Sequence, residues 1–136
     1  MQLDHVLVLA RDLAKMKAFF TQVIGFEEGP RPPFRFAGSW LYSDGRPQIH
    51  LASADQDGAQ RGHLGQHRPG SSGPVHHIAL TGADAAELLA RLSANDVAHR
   101  VQRVPEEGQV QIFVSGPEGV TVEMLFPEST IAPENR

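Results

Sequence analysis

The sequence predicts an α+β domain in which two βαβββ modules form one curved, mainly antiparallel mixed sheet. Three observations predict it. The 136 residues suit a single domain over 1–136, and 40% apolar with 21% charged residues is globular usage that argues against extended disorder. A strand–helix–strands grammar occurs twice, as module one (about 1–52) and module two (about 75–127), around a linker of about 53–74 rich in Gly, Gln, Ser and Pro. A histidine recurs at a matching position of the two copies, His5 in one and His77 in the other.

The elements follow in order. Gln2 to Ala10 is β-branched and leucine-rich, as a largely buried strand requires. Asp12 caps a helix whose apolar stripe is Leu13, Met16, Phe20, Val23 and Ile24, and Gly25 stops it. After the bend Gly29-Pro-Arg-Pro-Pro33, the segments FRFAGSWLYS and PQIHLAS flank Asp44-Gly45 as a hairpin. Module two repeats this with VHHIALT as a strand and a helix carrying Leu88, Leu89 and Leu92. AHRVQRV, QVQIFVS, a turn at Gly116-Pro-Glu-Gly119, and VTVEMLF follow as strands. The tail, 128–136, is polar and expected to fray.

Composition narrows the function. The net charge is −4 and the basic residues are scattered, which leaves no nucleic-acid footprint. Cysteine is absent, excluding disulfides, thiolate metal sites and a cysteine nucleophile. MQLDHVLVLA lacks a basic leader and runs into Arg11-Asp12, so neither a secretion signal nor a membrane span is expected and the cytoplasm is the default.

The duplication has a register. LDHVLVL aligned with VHHIALT pairs His5 with His77, a shift of 72, and PQIHLAS aligned with VTVEMLF pairs His50 with Glu123, a shift of 73. A pseudo-twofold relation between the modules would bring first-strand and last-strand side chains to one place, where three imidazoles and a carboxylate suit Fe, Mn, Ni, Co or Zn. Each of the four would otherwise be an ordinary core or surface residue. However, each sits among apolar neighbours, where an unpaired charge would cost several kcal/mol. Strand alternation turns His76 away from His77, behind the site or toward the helix. His63 and His67 lie four apart in the linker, where Gly62, Gly65 and Pro69 argue against a helix, and they read as solvated. His99, on the sixth strand, reads as a surface residue. On the seventh strand Gln111 and Phe113 share a face, with Gln111 able to hydrogen-bond a substrate oxygen. Trp40 and Tyr42 share a face of the third strand and would wall a cavity or pack in the core. Arg31 and Arg35 form a basic lip that would attract an anion or simply face water.

With these residues assembled, the chain resembles the vicinal oxygen chelate superfamily, which includes glyoxalase I, epimerases, fosfomycin-resistance transferases, extradiol dioxygenases and bleomycin-resistance proteins. The resemblance runs from LDHVLVLARDLAKMKAFFTQVIGFEE through WLYSDGRPQIHL and VHHIAL to GPEGVTVEMLF, with Gly116 where the family usually has aspartate. It implies a glyoxalase-like fold around one divalent metal held by His5, His77 and Glu123. Lyases and epimerases of the family add a fourth-strand Glu or Gln, where this chain has His50. The resemblance also implies a homodimer and a small-molecule substrate chelated through adjacent oxygens, with the metal as Lewis acid, and hence a lyase or isomerase in which Glu123 and His50 are catalytic. His50, as an imidazole, would serve as a ligand or as a proton-transfer base. Gln111, Phe113, Trp40, Tyr42 and Arg35 would contact the substrate. The alternatives are an extradiol-type ring-cleaving dioxygenase, for which His5, His77 and Glu123 match the two-histidine, one-carboxylate arrangement, and a non-catalytic drug-binding resistance protein.

Overall fold

The computed structural model describes residues 2–65, 75–104 and 108–131. The chain divides into two units, Met1–Ser71 and Ser72–Arg136.

In the first unit, β1 (Val6–Ala10) leads to α1 (Leu13–Ala18), whose N-terminus Asp12 caps by accepting from the Lys15 amide at 3.0 Å. The helix continues as a π-helical turn over Phe19–Ile24 and stops at Gly25, which takes φ 105° and donates to the Phe20 carbonyl. Met16, Phe20, Val23 and Ile24 of the expected stripe are buried. β2 (Glu27–Gly29), β3 (Gly38–Ser43) and β4 (Arg46–Ser53) follow, with a two-residue turn in which Asp44 and Gly45 both take positive φ. The sheet order is β1-β4-β3-β2, with β1 parallel to β4 and the other pairs antiparallel. Ile49 and Leu51 are buried with the helix, and the alternate residue His50 lies on the opposite face.

Part of the stretch read as a linker is instead helical. α2 (Gly58–Leu64) is capped by Asp57, which accepts from the Gln60 amide at 2.8 Å. Gln60 is itself buried, its amide donating to the Ser53 carbonyl at 2.6 Å. The cap and this anchor outweigh the poor helix propensity of Gly58 and Gly62. His63 therefore sits on a helix; it is exposed, yet its ring lies 4.6 Å from that of Phe34. His67, Pro69 and the rest of 66–74 lie outside the described residues.

The second unit repeats the order. β5 (Ile78–Thr81), α3 (Ala85–Ala94, capped by Asp84), β6 (His99–Val104), β7 (Gln109–Ser115) and β8 (Thr121–Pro127) form a sheet of order β5-β8-β7-β6. Ala85, Leu88 and Leu92 of α3 are buried, as are Val110, Ile112, Val114, Val122, Met124 and Phe126 of the sheet. The strands thus form two four-stranded mixed sheets of the same topology, the two-module α+β architecture that the sequence predicts. The start of the tail is packed, contrary to expectation: the Thr130 hydroxyl accepts from the Ala85 amide and Ile131 is buried. Residues 132–136 lie outside the described residues.

Two boundaries differ from expectation in the same way. β1 begins at Val6 and β5 at Ile78, so His5, His76 and His77 precede their strands rather than lying within them. These limits are the first pairs of the two parallel ladders, Val6 with Ile49 and Ile78 with Val122.

Candidate functional site

The duplicated register appears as two equivalent rows across the sheets. In the first unit Leu7, His50, Trp40 and Gly29 are successive cross-strand partners; in the second the row is Ala79, Glu123, Phe113 and Arg100. Direct partners project from the same face, so each unit carries its fourth-strand candidate ligand beside an aromatic residue of the third strand. Trp40 and Phe113 are repeat partners, 73 positions apart like His50 and Glu123.

Trp40 reaches this row through a β-bulge. The Asp44-Gly45 turn pairs Ser43 with Arg46 and Tyr42 with Pro47, a register that would set Trp40 opposite Ile49 on the core face. The register shifts between Leu41 and Tyr42, leaving Gln48 as the extra residue and setting Trp40 opposite His50. Pro47, which has no amide hydrogen, stands beside the bulge, and the Gln48 amide donates to the Ser43 carbonyl at 3.1 Å.

The result is a three-ring stack. The His50 ring lies between His5, at 3.8 Å and 12° between planes, and Trp40, at 4.0 Å and 11°. His5 is oriented from its other side, its Nδ1 2.7 Å from the Asp4 carboxylate. His50 Nε2 is buried without a hydrogen-bond partner. Burial, with the neighbouring His5, holds the His50 pKa below the usual imidazole value against a hydrogen bond to the Pro47 carbonyl, and this favours the neutral ring.

In the second unit His77 and Glu123 meet directly, His77 Nε2 lying 2.7 Å from Glu123 Oε2. Glu123 is 6% exposed, and its other oxygen accepts from the Gln111 amide at 2.6 Å. One N–H of the Gln111 amide is thus directed at the carboxylate. Phe113 lies edge-on to His77 at 5.8 Å and carries the Arg100 guanidinium 4.8 Å over its face. His76 does not point away: its Nδ1 lies 2.9 Å from His77 Nδ1. Strand alternation fails here because both residues precede β5.

The remaining candidates are placed apart from these pairs. The Tyr42 ring covers Gly29 and its hydroxyl donates to the Pro30 carbonyl at 2.6 Å. Arg31 is drawn into its own loop, donating to the Phe36 carbonyl with its guanidinium about 5 Å from the Phe34 and Phe36 rings, whereas Arg35 is exposed. His99 is exposed and bonded to the Val97 carbonyl. Among the described residues no three His, Cys, Asp or Glu side chains are grouped as a metal site. Sequence reading missed Arg100, whose signal was its parity opposite Phe113, and the roles of Asp4 and His76.

The family model for the Glyoxalase/Bleomycin resistance protein/Dioxygenase superfamily matches residues 2–124. The chain belongs to this superfamily. Fosfomycin resistance protein FosX from Listeria monocytogenes has a similar structure, with TM-score 0.65 and 19% identity over 100% of this chain and 98% of that one. Lactoylglutathione lyase from Agrobacterium tumefaciens matches with TM-score 0.63 and 18% identity over 94% and 95%. TnmS3, an antibiotic binding protein from Streptomyces sp. CB03234, matches with TM-score 0.66 and 21% identity over 93% and 96%. At these identities the likeness establishes the glyoxalase fold alone. No curated protein matches the sequence. Among the described residues no helix is long and apolar enough to cross a membrane.

Proposed function

We propose that the chain is a divalent-metal-dependent enzyme of the glyoxalase superfamily, a lyase or isomerase acting on a small substrate with adjacent oxygens. The observation that supports this is the buried, unpartnered Nε2 of His50, stacked on His5; at the equivalent position of the second unit a buried Glu123 contacts His77. Buried polar atoms without partners are uncommon in proteins, and a cation would supply one for His50 Nε2. His5, His50, His77 and Glu123 would hold it. When bound, it would supply Lewis-acid stabilisation of a developing oxyanion.

The chain's own residues fix the donors. Asp4 orients His5, Trp40 and His5 hold the His50 ring from both faces, and Gln111 sets the carboxylate plane of Glu123. With His50 outside the coordination sphere, its lowered pKa would keep the ring in the uncharged form at neutral pH.

Elemental analysis of protein purified without chelator under anaerobic conditions tests the reading. The wild type should carry bound Ni, Co, Zn, Mn or Fe, and Glu123→Ala should lose most of it together with turnover. Metal-free wild type, or a Glu123→Ala protein that keeps both, refutes it. Iron with oxygen uptake on a catechol panel would instead establish the dioxygenase.

A second reading, a drug-sequestering protein, draws on the absence of a grouped metal set among the described residues and on the likeness to an antibiotic binding protein. Stoichiometric ligand binding without metal or turnover would establish it.

A further inference from the structure

We infer that His76 is a positioning residue that selects the ring tautomer with which His77 ligates a cation. The inference rests on the proposal that His77 is a ligand. Two neutral imidazoles whose Nδ1 atoms lie 2.9 Å apart share one proton between those atoms, one ring donating and the other accepting. In the arrangement seen here, His77 Nε2 faces the Glu123 carboxylate at 2.7 Å. A carboxylate only accepts, so His77 Nε2 carries a proton, and with both rings neutral the donor between them is the His76 Nδ1–H.

A cation at His77 Nε2 needs the lone pair that this proton occupies. The His77 proton then belongs on Nδ1, and the 2.9 Å contact survives only if His76 presents a bare Nδ1 and carries its own proton on Nε2. Each ring exchanges one tautomer for the other, with no change in the charge of either. His76 is exposed, so water can carry the exchange. His76 thus acts as the outer hydrogen-bond acceptor that metal-ligating histidines generally require, and the chain His76–His77–Glu123–Gln111 runs unbroken through the second unit. The residue adjacent in sequence supplies this acceptor because both histidines precede β5, where neighbouring side chains are not forced to opposite faces.

The test combines zinc titration of wild-type, His76→Phe and His76→Gln proteins with nitrogen-15 NMR of the imidazole rings. Zinc loading of the wild type should move the His77 proton from Nε2 to Nδ1 and the His76 proton from Nδ1 to Nε2. His76→Phe, which keeps a ring but has no acceptor, should bind zinc about 10- to 100-fold more weakly. His76→Gln, whose amide oxygen accepts, should stay close to wild type. Unchanged melting of both zinc-free variants would confirm that the fold is intact. Equal zinc affinity for wild type and His76→Phe, or a His76 ring whose tautomer does not change on loading, overturns the inference. Those results leave the metal reading standing; a wild type that takes up no zinc or other divalent ion removes both.

Discussion

Replacing Gln111 with leucine isolates what holds the Glu123 carboxylate in place. The Gln111 amide lies 2.6 Å from Glu123 Oε1, and Glu123 is only 6% exposed, so water cannot readily replace the lost donor. Leucine has nearly the volume of glutamine, so the change removes a hydrogen bond without opening a large cavity. A hydrogen bond to a charged group contributes about 1.5–3 kcal/mol, so a loss of about 2 kcal/mol is expected in the metal-free protein. At a urea m-value of about 2 kcal/mol/M the midpoint should fall by about 1 M with an unchanged slope. Gln102 is the exposed cross-strand partner of Gln111, and Gln102→Leu serves as the control, expected to cost under about 0.5 kcal/mol. In a Glu123→Gln background, where the charge is gone, the Gln111→Leu penalty should shrink by more than half. Matching midpoints for the two leucine variants, or a full penalty in the uncharged background, would refute the account.

Four further outcomes follow from the same structure. Trp40 is the one tryptophan and stacks on His50, so its fluorescence should be quenched as His50 gains a proton, with an apparent pKa below 6.5 that vanishes in His50→Gln. Because folding lowers this pKa, the stability from neutral His50 is fully present above about pH 6.5 and is lost as pH falls through the folded value; denaturation midpoints against pH should show that direction, and a rise on acidification would contradict it. A side chain at Gly82 would collide with the buried Phe126 ring, so Gly82→Ala should cost about 1–3 kcal/mol by denaturant unfolding, relieved by Phe126→Leu. Asp57→Ala should cost about 1 kcal/mol locally, read as faster amide exchange across Gly58–Leu64 with little change elsewhere.

Several features were legible because they depend on local chemistry. Asp12 and Gly25 bound the first helix as their capping chemistry requires, and Asp44-Gly45 makes the positive-φ turn. The helix at Gly58–Leu64 was not legible. Its decisive contact, Gln60 to the Ser53 carbonyl, joins residues whose proximity depends on where β4 ends, while composition alone favoured a loop. His76 was misassigned for a related reason: alternation holds within a ladder, and the ladder begins two residues after it.

The sequence by itself determined the duplication, the strand–helix grammar of each half and the equivalence of His5 with His77 and of His50 with Glu123, because apolar periodicity and repeat spacing are properties of the chain read in one dimension. Tertiary structure decided which side chains meet. The bulge at Gln48 moves Trp40 from the register opposite Ile49 to that opposite His50, and ladder ends leave His76 free to bond His77. A one-residue change of register exchanges the two faces of a strand, and that change depends on pairing across strands that no single stretch of sequence encodes.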